Sequence, residues 1–131
     1  MARSPSTHLL VALGIACVLI LTWAPAPVAA GCYGSGQYGR QDFGRSLVSG
    51  FCSRDFPSGE TTSCANQPNP SGVAWYLRAR NSCGNIVRDP TQCAAAMNQM
   101  IACDGGNGDT RGGNLGVGCM EYVADPNRGS C

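Results

Sequence analysis

The sequence predicts a small, disulfide-rich α+β domain. Residues 73–80 alternate with period two, as a strand with one buried and one wetter face does. Residues 91–103 carry helical spacing, and cysteines lie in and on both sides of this strand–helix unit. A helix candidate, a strand, a second helix and a returning strand, with loops between, favour α+β over a parallel sheet.

The first thirty residues read as a secretory signal peptide. Arg3 supplies the positive n-region, 9–21 is an apolar run, and Val28-Ala29-Ala30 has the small residues of a cleavage site. The apolar run is short for a membrane span, and Pro25 and Pro27 argue against a continuing helix, so an uncleaved anchor is disfavoured. Cleavage after Ala30 leaves 31–131 as one domain and removes Cys17, so nine cysteines become eight. An even number in a short exported chain implies a disulfide framework, with a connectivity that cysteine count alone leaves open.

Within 31–131 the glycine-rich start, Cys32-Tyr33-Gly34-Ser35-Gly36-Gln37-Tyr38-Gly39, reads as irregular chain or a short edge strand. Residues 42–52 are a helix candidate with Phe43, Leu47, Val48 and Phe51 on one side and Asp42 as N-cap. Gly44 and Gly50 each cost about 1 kcal/mol there relative to alanine, so packing or a disulfide must hold this helix. Residues 53–70 form a polar loop around Cys64, with a short strand at 61–64. The strand that follows puts Val73, Trp75, Leu77 and Ala79 on one side and Ala74, Tyr76, Arg78 and Arg80 on the other. Asn81-Ser82-Cys83-Gly84 breaks it.

Asp89 caps the second helix, Pro90 suits its first position and Ala94-Ala95-Ala96 have the highest intrinsic propensity. Cys93, Met97, Met100 and Ile101 share one side, and Asp104-Gly105-Gly106 ends the helix. A flexible loop follows over 105–113. Residues 115–123 return as a strand that Gly116 and Gly118 weaken, and the tail 124–130 is turn-like before Cys131.

The chemistry is defined by what is missing. The only histidine is His8, there is no lysine, and beyond Arg3 eight arginines balance eight carboxylates. A domain so composed cannot run Ser-His-Asp, Cys-His or Schiff-base catalysis and has no histidine-ligated metal. A paired-carboxylate site is not excluded by spacing, but eight solvated carboxylates are the simpler expectation. No enzyme activity, no cofactor and no metal are therefore expected, and the absence of a polybasic run argues against non-specific binding of nucleic acid or anionic lipid. Stable membrane insertion is not expected either. The 105–113 loop resembles a phosphate or calcium loop only superficially. No strand precedes it, no lysine follows it, and Asp104, Asn107 and Asp109 lack calcium-ligand spacing and a closing glutamate. With no C-x-x-C pair, the cysteines read as disulfides rather than zinc ligands. Asn69 precedes Pro70 and accepts no glycan, and no adjacent cysteine pair supports a hydrophobin or lipid-transfer protein. Trp75 is expected in the core. Tyr76, with Arg78 and Arg80 beside it, forms a small basic-aromatic face and the candidate target-binding site.

With these residues in view, 31–131 resembles the killer-toxin family founded by the virus-encoded killer protein four of a smut fungus. The likeness rests on Tyr76-Leu77-Arg78-Ala79-Arg80-Asn81-Ser82-Cys83, a tyrosine-led strand ending in Asn-x-Cys. Cys32-x-Gly-Ser-x-Gln-x-Gly, the Cys93-to-Cys103 helix, Tyr122-Val123 and the terminal Cys131 add to it. The founding toxin has one further disulfide, whose two cysteines fall here at Tyr38 and Gly106. By carry-over Cys32 would pair with Cys103, Cys64 with Cys131 and Cys52 with Cys93. Cys119 has no clear family counterpart, and Cys83–Cys119 is what then remains. The resemblance implies an antiparallel sheet with two helices packed on one face in split βαβ crossovers. It also implies a secreted, monomeric, non-enzymatic growth inhibitor that binds a target-cell surface protein, a calcium channel in the family's case. Two departures stand out: Thr62 occupies the approximate place of a functionally important family lysine, and this domain is neutral where the founder is basic. Readings from other classes are a secreted effector or defence protein that binds a cell-wall polymer, and a non-toxic structural wall protein.

Overall fold

The structure, a computed structural model, describes residues 30–70, 72–103 and 107–131. The expected signal peptide, save Ala30, and the expected helix stop at 104–106 lie outside the described residues.

The chain order is β1 (Gly31–Cys32), β2 (Gly39–Arg40), α1 (Gln41–Cys52), β3 (Gly59–Gln67), β4 (Val73–Asn81), α2 (Pro90–Ile101), β5 (Asp109–Thr110), β6 (Gly113–Val117) and β7 (Met120–Arg128). Five strands make one antiparallel sheet in the order β1-β6-β7-β4-β3, and β2 pairs with β5 in a separate ribbon. Successive antiparallel pairings leave β4 parallel to β6 with β7 between them, so β4–α2–β6 is a split crossover. The α+β class, the antiparallel sheet and the two helices on one face are thus as expected from the sequence and the resemblance.

Alternation along β4 sends Val73, Trp75, Leu77 and Ala79 into the core, where they meet Val48 and Phe51 of α1 and Met97, Met100 and Ile101 of α2. Leu115, Tyr122 and Ala124 extend this layer across β6 and β7. Trp75 is fully buried, and its Nε1 donates to Gln67 Oε1 at 3.1 Å. The same oxygen accepts from the Arg40 backbone N–H at 2.8 Å, while Gln67 Nε2 donates to the Asn69 carbonyl. Buried Gln67 is therefore a satisfied hub that ties β2, β3 and β4 together. Asn81 does the same at the other end of β4: its Nδ2 donates to the Phe56 and Asn85 carbonyls and its Oδ1 accepts from Cys83 N.

Four disulfides staple this small core. Cys32–Cys103 joins β1 to the end of α2, Cys52–Cys93 joins the helices, Cys64–Cys131 ties the tail to β3, and Cys83–Cys119 ties the end of β4 to the β6–β7 turn. The first three are the pairs that the resemblance implies, and Cys83–Cys119 is the pair that then remains. Each closes a loop of tens of residues and typically contributes about 2–4 kcal/mol, which matters where total stability is only about 5–15 kcal/mol.

Several local expectations are corrected. Asp42 is not the N-cap of α1: Arg40 occupies that position without a side-chain cap bond, and Asp42 sits in the first turn. There its carboxylate is ion-paired with Arg40, whose hydrogen bond holds the carboxyl below its usual pKa. Asp89, by contrast, caps α2 through Oδ1 accepting from Gln92 N at 2.8 Å, with Pro90 at the first turn. The polar loop at 53–70 contains a nine-residue strand, β3, held edgewise by β4 despite its lack of large apolar side chains. The single strand expected at 115–123 is a hairpin, turned at Gly118 with φ +60, and its second arm runs through the supposed turn-like tail to Arg128. Pro126 is tolerated because β6 begins opposite Ala124, so at 126 β7 has a strand neighbour on one side only. The described part of the expected 105–113 loop, 107–113, is likewise less free than expected: Thr110 is fully buried in β5, and Gln41 N–H donates to the Gly108 carbonyl at 2.9 Å.

Candidate binding face

Because α1 and α2 cover one side of the sheet, the even-numbered positions of β4 point to the other. Register then fixes what stands beside them. Tyr76 lies between Cys64 of β3 and Asp125 of β7, Arg78 between Thr62 and Val123, and Arg80 between Glu60 and Glu121. Tyr76 is 38 % exposed and Arg80 is exposed, while Arg78 is half-buried. The three residues singled out from sequence thus share the helix-free face.

That face is not basic, as the sequence suggested. Arg78 reaches Glu60 at 3.7 Å and Glu121 at 3.8 Å, and Asp125 stands in the adjacent row. Three carboxylates therefore accompany two arginines. Sequence reasoning missed Glu60, Asp125 and Asn127 because it took their segments for loop and turn. The period-two pattern of 120–128 is present, with Met120, Tyr122, Ala124 and Pro126 buried, but proline at 126 obscured it.

A shallow depression of about 550 Å³ occupies this face, lined among others by Tyr33, Glu60, Tyr76, Arg78, Asp125 and Arg128. Thr62 lies directly beside Arg78. Tyr33 enters from the irregular chain after β1, positioned by its N–H donating to the Gly112 carbonyl at 3.1 Å. Burial, followed by the charge of Asp125, raises its phenol pKa above the usual tyrosine value. Arg111 holds the same irregular segment: Nη1 donates to the Gly34 carbonyl at 2.9 Å and the guanidinium stacks 4.2 Å over Tyr38. On the rim, Asn127 Nδ2 donates to Asp125 Oδ2 at 2.8 Å. Ala74 and Val123 are buried here although they belong to this face, since their cross-strand neighbours are the longer Asn66 and Asn127, and Arg78 and Asn114.

The face therefore offers an aromatic surface, one arginine flanked by carboxylates, and amide and hydroxyl groups, all on adjacent strands of a cross-linked sheet. A surface held this way loses little conformational freedom when it is covered. Among the described residues no group of three or more histidines, cysteines or carboxylates is placed to hold a metal ion. Among them, too, no helix is long and apolar enough to cross a membrane. Four disulfides fit a protein that folds in an oxidising, extracytoplasmic compartment.

Compared with protein-family models, curated proteins and solved structures, the chain matches none.

Proposed function

We propose that this chain is a secreted inhibitor of target-cell growth that binds a protein on the target-cell surface, a calcium channel being the kind of target the family resemblance implies. It acts by shape and contact rather than by turnover, as a monomer and without a cofactor. The observation that carries this reading is the helix-free sheet face, where Tyr76, Arg78 and Arg80 stand together on strands that Cys64–Cys131 and Cys83–Cys119 brace. A rigid exposed tyrosine beside arginines is the side-chain combination that dominates binding energy at protein interfaces. The missing histidine and lysine beyond His8 support a non-catalytic role.

The test applies purified, oxidised protein to fungal and plant cells while growth and calcium influx are followed. Growth inhibition with reduced influx, relieved by added calcium, supports the reading; folded protein that leaves both unchanged overturns it. Tyr76→Ala, Arg78→Gln and Arg80→Gln should weaken inhibition at unchanged thermal midpoint. Glutamine is preferable to charge reversal at both arginines, because a carboxylate at 78 or 80 would face Glu60 and Glu121.

A further inference from the structure

We propose that the depression on the helix-free face binds neutral polysaccharide, a run of pyranose rings lying across β3, β4 and β7. The proposal goes beyond growth inhibition and does not depend on it. Charge order is the first argument. The central row of the face carries Arg78, and a carboxylate stands in the row on each side, Asp125 beside Tyr76 and Glu60 beside Arg80. Arg128 also lines the depression, so two arginines stand against two carboxylates there and neither sign prevails. An anion approaching Arg78 meets the carboxylates, and a cation approaching either carboxylate meets an arginine. A neutral ligand that both donates and accepts hydrogen bonds escapes this conflict.

The second argument is unused hydrogen-bonding capacity. Arg78 stands 3.7 and 3.8 Å from its two carboxylates, beyond hydrogen-bond length, so neither the guanidinium nor the carboxylates saturate one another. Vicinal hydroxyls satisfy both at once, donating to Glu60 and accepting from Arg78, and the Asn127–Asp125 pair on the rim offers the same combination of donor and acceptor. The third argument is Tyr76. Its ring is 38 % exposed on the flank of these planar polar groups and presents a flat apolar surface to the C–H face of a sugar ring. At about 550 Å³ the depression is of ligand-site size, and its lining residues apart from Tyr33 come from β3, β4 and β7, so it is open to solvent across three strands rather than closed over a small molecule.

The experiment titrates the purified, oxidised protein with laminarihexaose, chitohexaose and mannohexaose in turn, following backbone amide NMR shifts. At least one sugar should give saturable shifts centred on Tyr76, Arg78 and Asp125. Tyr76→Ala should weaken that binding by about tenfold or more, and the near-isosteric Asp125→Asn should weaken it as well. Thermal midpoints equal to the parent's establish that both variants are folded. The proposal is overturned if no sugar saturates, if the shifts survive Tyr76→Ala in the folded variant, or if hexa-arginine saturates the site and the sugars do not. Sugar binding is read without cells, so its failure and a failure of growth inhibition are separate results.

Discussion

Gly44 of α1 lies against the indole of Trp75: a Cβ at position 44 would stand 2.6 Å from Cη2 and under 3 Å from two more ring carbons. Gly39 approaches the pyrrole end of the same indole, its virtual Cβ 2.7 Å from Nε1. Two glycines thus make room for this large core side chain, and its Nε1–H reaches Gln67. Gly44, a liability by helix propensity, is what lets the helix approach the sheet.

Two variants separate the terms. Gly50 has open space around its virtual Cβ, so Gly50→Ala should stabilise by about 0.5–1 kcal/mol through helix propensity alone. Gly44→Ala gains the same propensity but pushes a methyl into a fully buried ring, and should destabilise by about 1–3 kcal/mol. Urea unfolding of both reads the difference; a Gly44→Ala protein as stable as Gly50→Ala would show that the indole shifts at little cost.

Burial orders the disulfides by accessibility. Cys52 and Cys93 are 2 % and 0 % exposed between the helices, whereas Cys119 and Cys131 are exposed. Cys32, paired with buried Cys103, is exposed too. Stepwise reduction trapped by alkylation should open Cys83–Cys119, Cys64–Cys131 and Cys32–Cys103 before Cys52–Cys93, which opens only as the fold is lost, because attack needs access to a sulfur. Mass mapping of partly alkylated protein gives the order, and early loss of Cys52–Cys93 would contradict the packing described.

What the sequence made legible followed pattern strength. β4 and α2 each bury one face against a full neighbour, so Trp75, Leu77, Met97 and Met100 announce their periods. β3 is an edge strand whose inward positions, Thr61, Ser63, Ala65 and Gln67, are small or polar, which leaves no hydrophobic alternation to read. β7 alternates well, yet Pro126 reads as a breaker until the sheet is seen to have ended beside it. The candidate face was half legible for the same reason. Tyr76, Arg78 and Arg80 came from the legible strand, while Glu60 and Asp125 join them only through cross-strand register, which no local pattern encodes.

The α2 cap is a local device that holds without tertiary help. Asp89 accepts from Gln92 N at 2.8 Å, satisfying one of the free N–H groups of the first turn. Asp89→Ala should cost about 1 kcal/mol, and Asp89→Asn or Asp89→Ser should recover most of it. Thermal or urea unfolding of the three variants checks this; an alanine variant equal to the parent would mean that Pro90 and packing alone fix the helix start.

High pH should unfold the domain through its tyrosines. Burial raises the Tyr122 phenol above its ordinary value, with Asp89 adding to the effect, and burial followed by Asp125 does the same for Tyr33. With folded-state pKa values above the unfolded value near 10, both phenols are neutral in either state below that pH, and stability is unaffected there. Above it the unfolded chain releases its protons first, so stability falls as pH rises through the folded pKa values. Unfolding free energy measured between pH 9 and about pH 12 should decline, and Tyr122→Phe, which keeps the ring but removes the ionisable group, should flatten part of the decline. The phenolate absorbance of the folded parent should show late-titrating tyrosine that this variant loses. A pH profile identical in parent and Tyr122→Phe would mean that the core readily admits the charged phenolate.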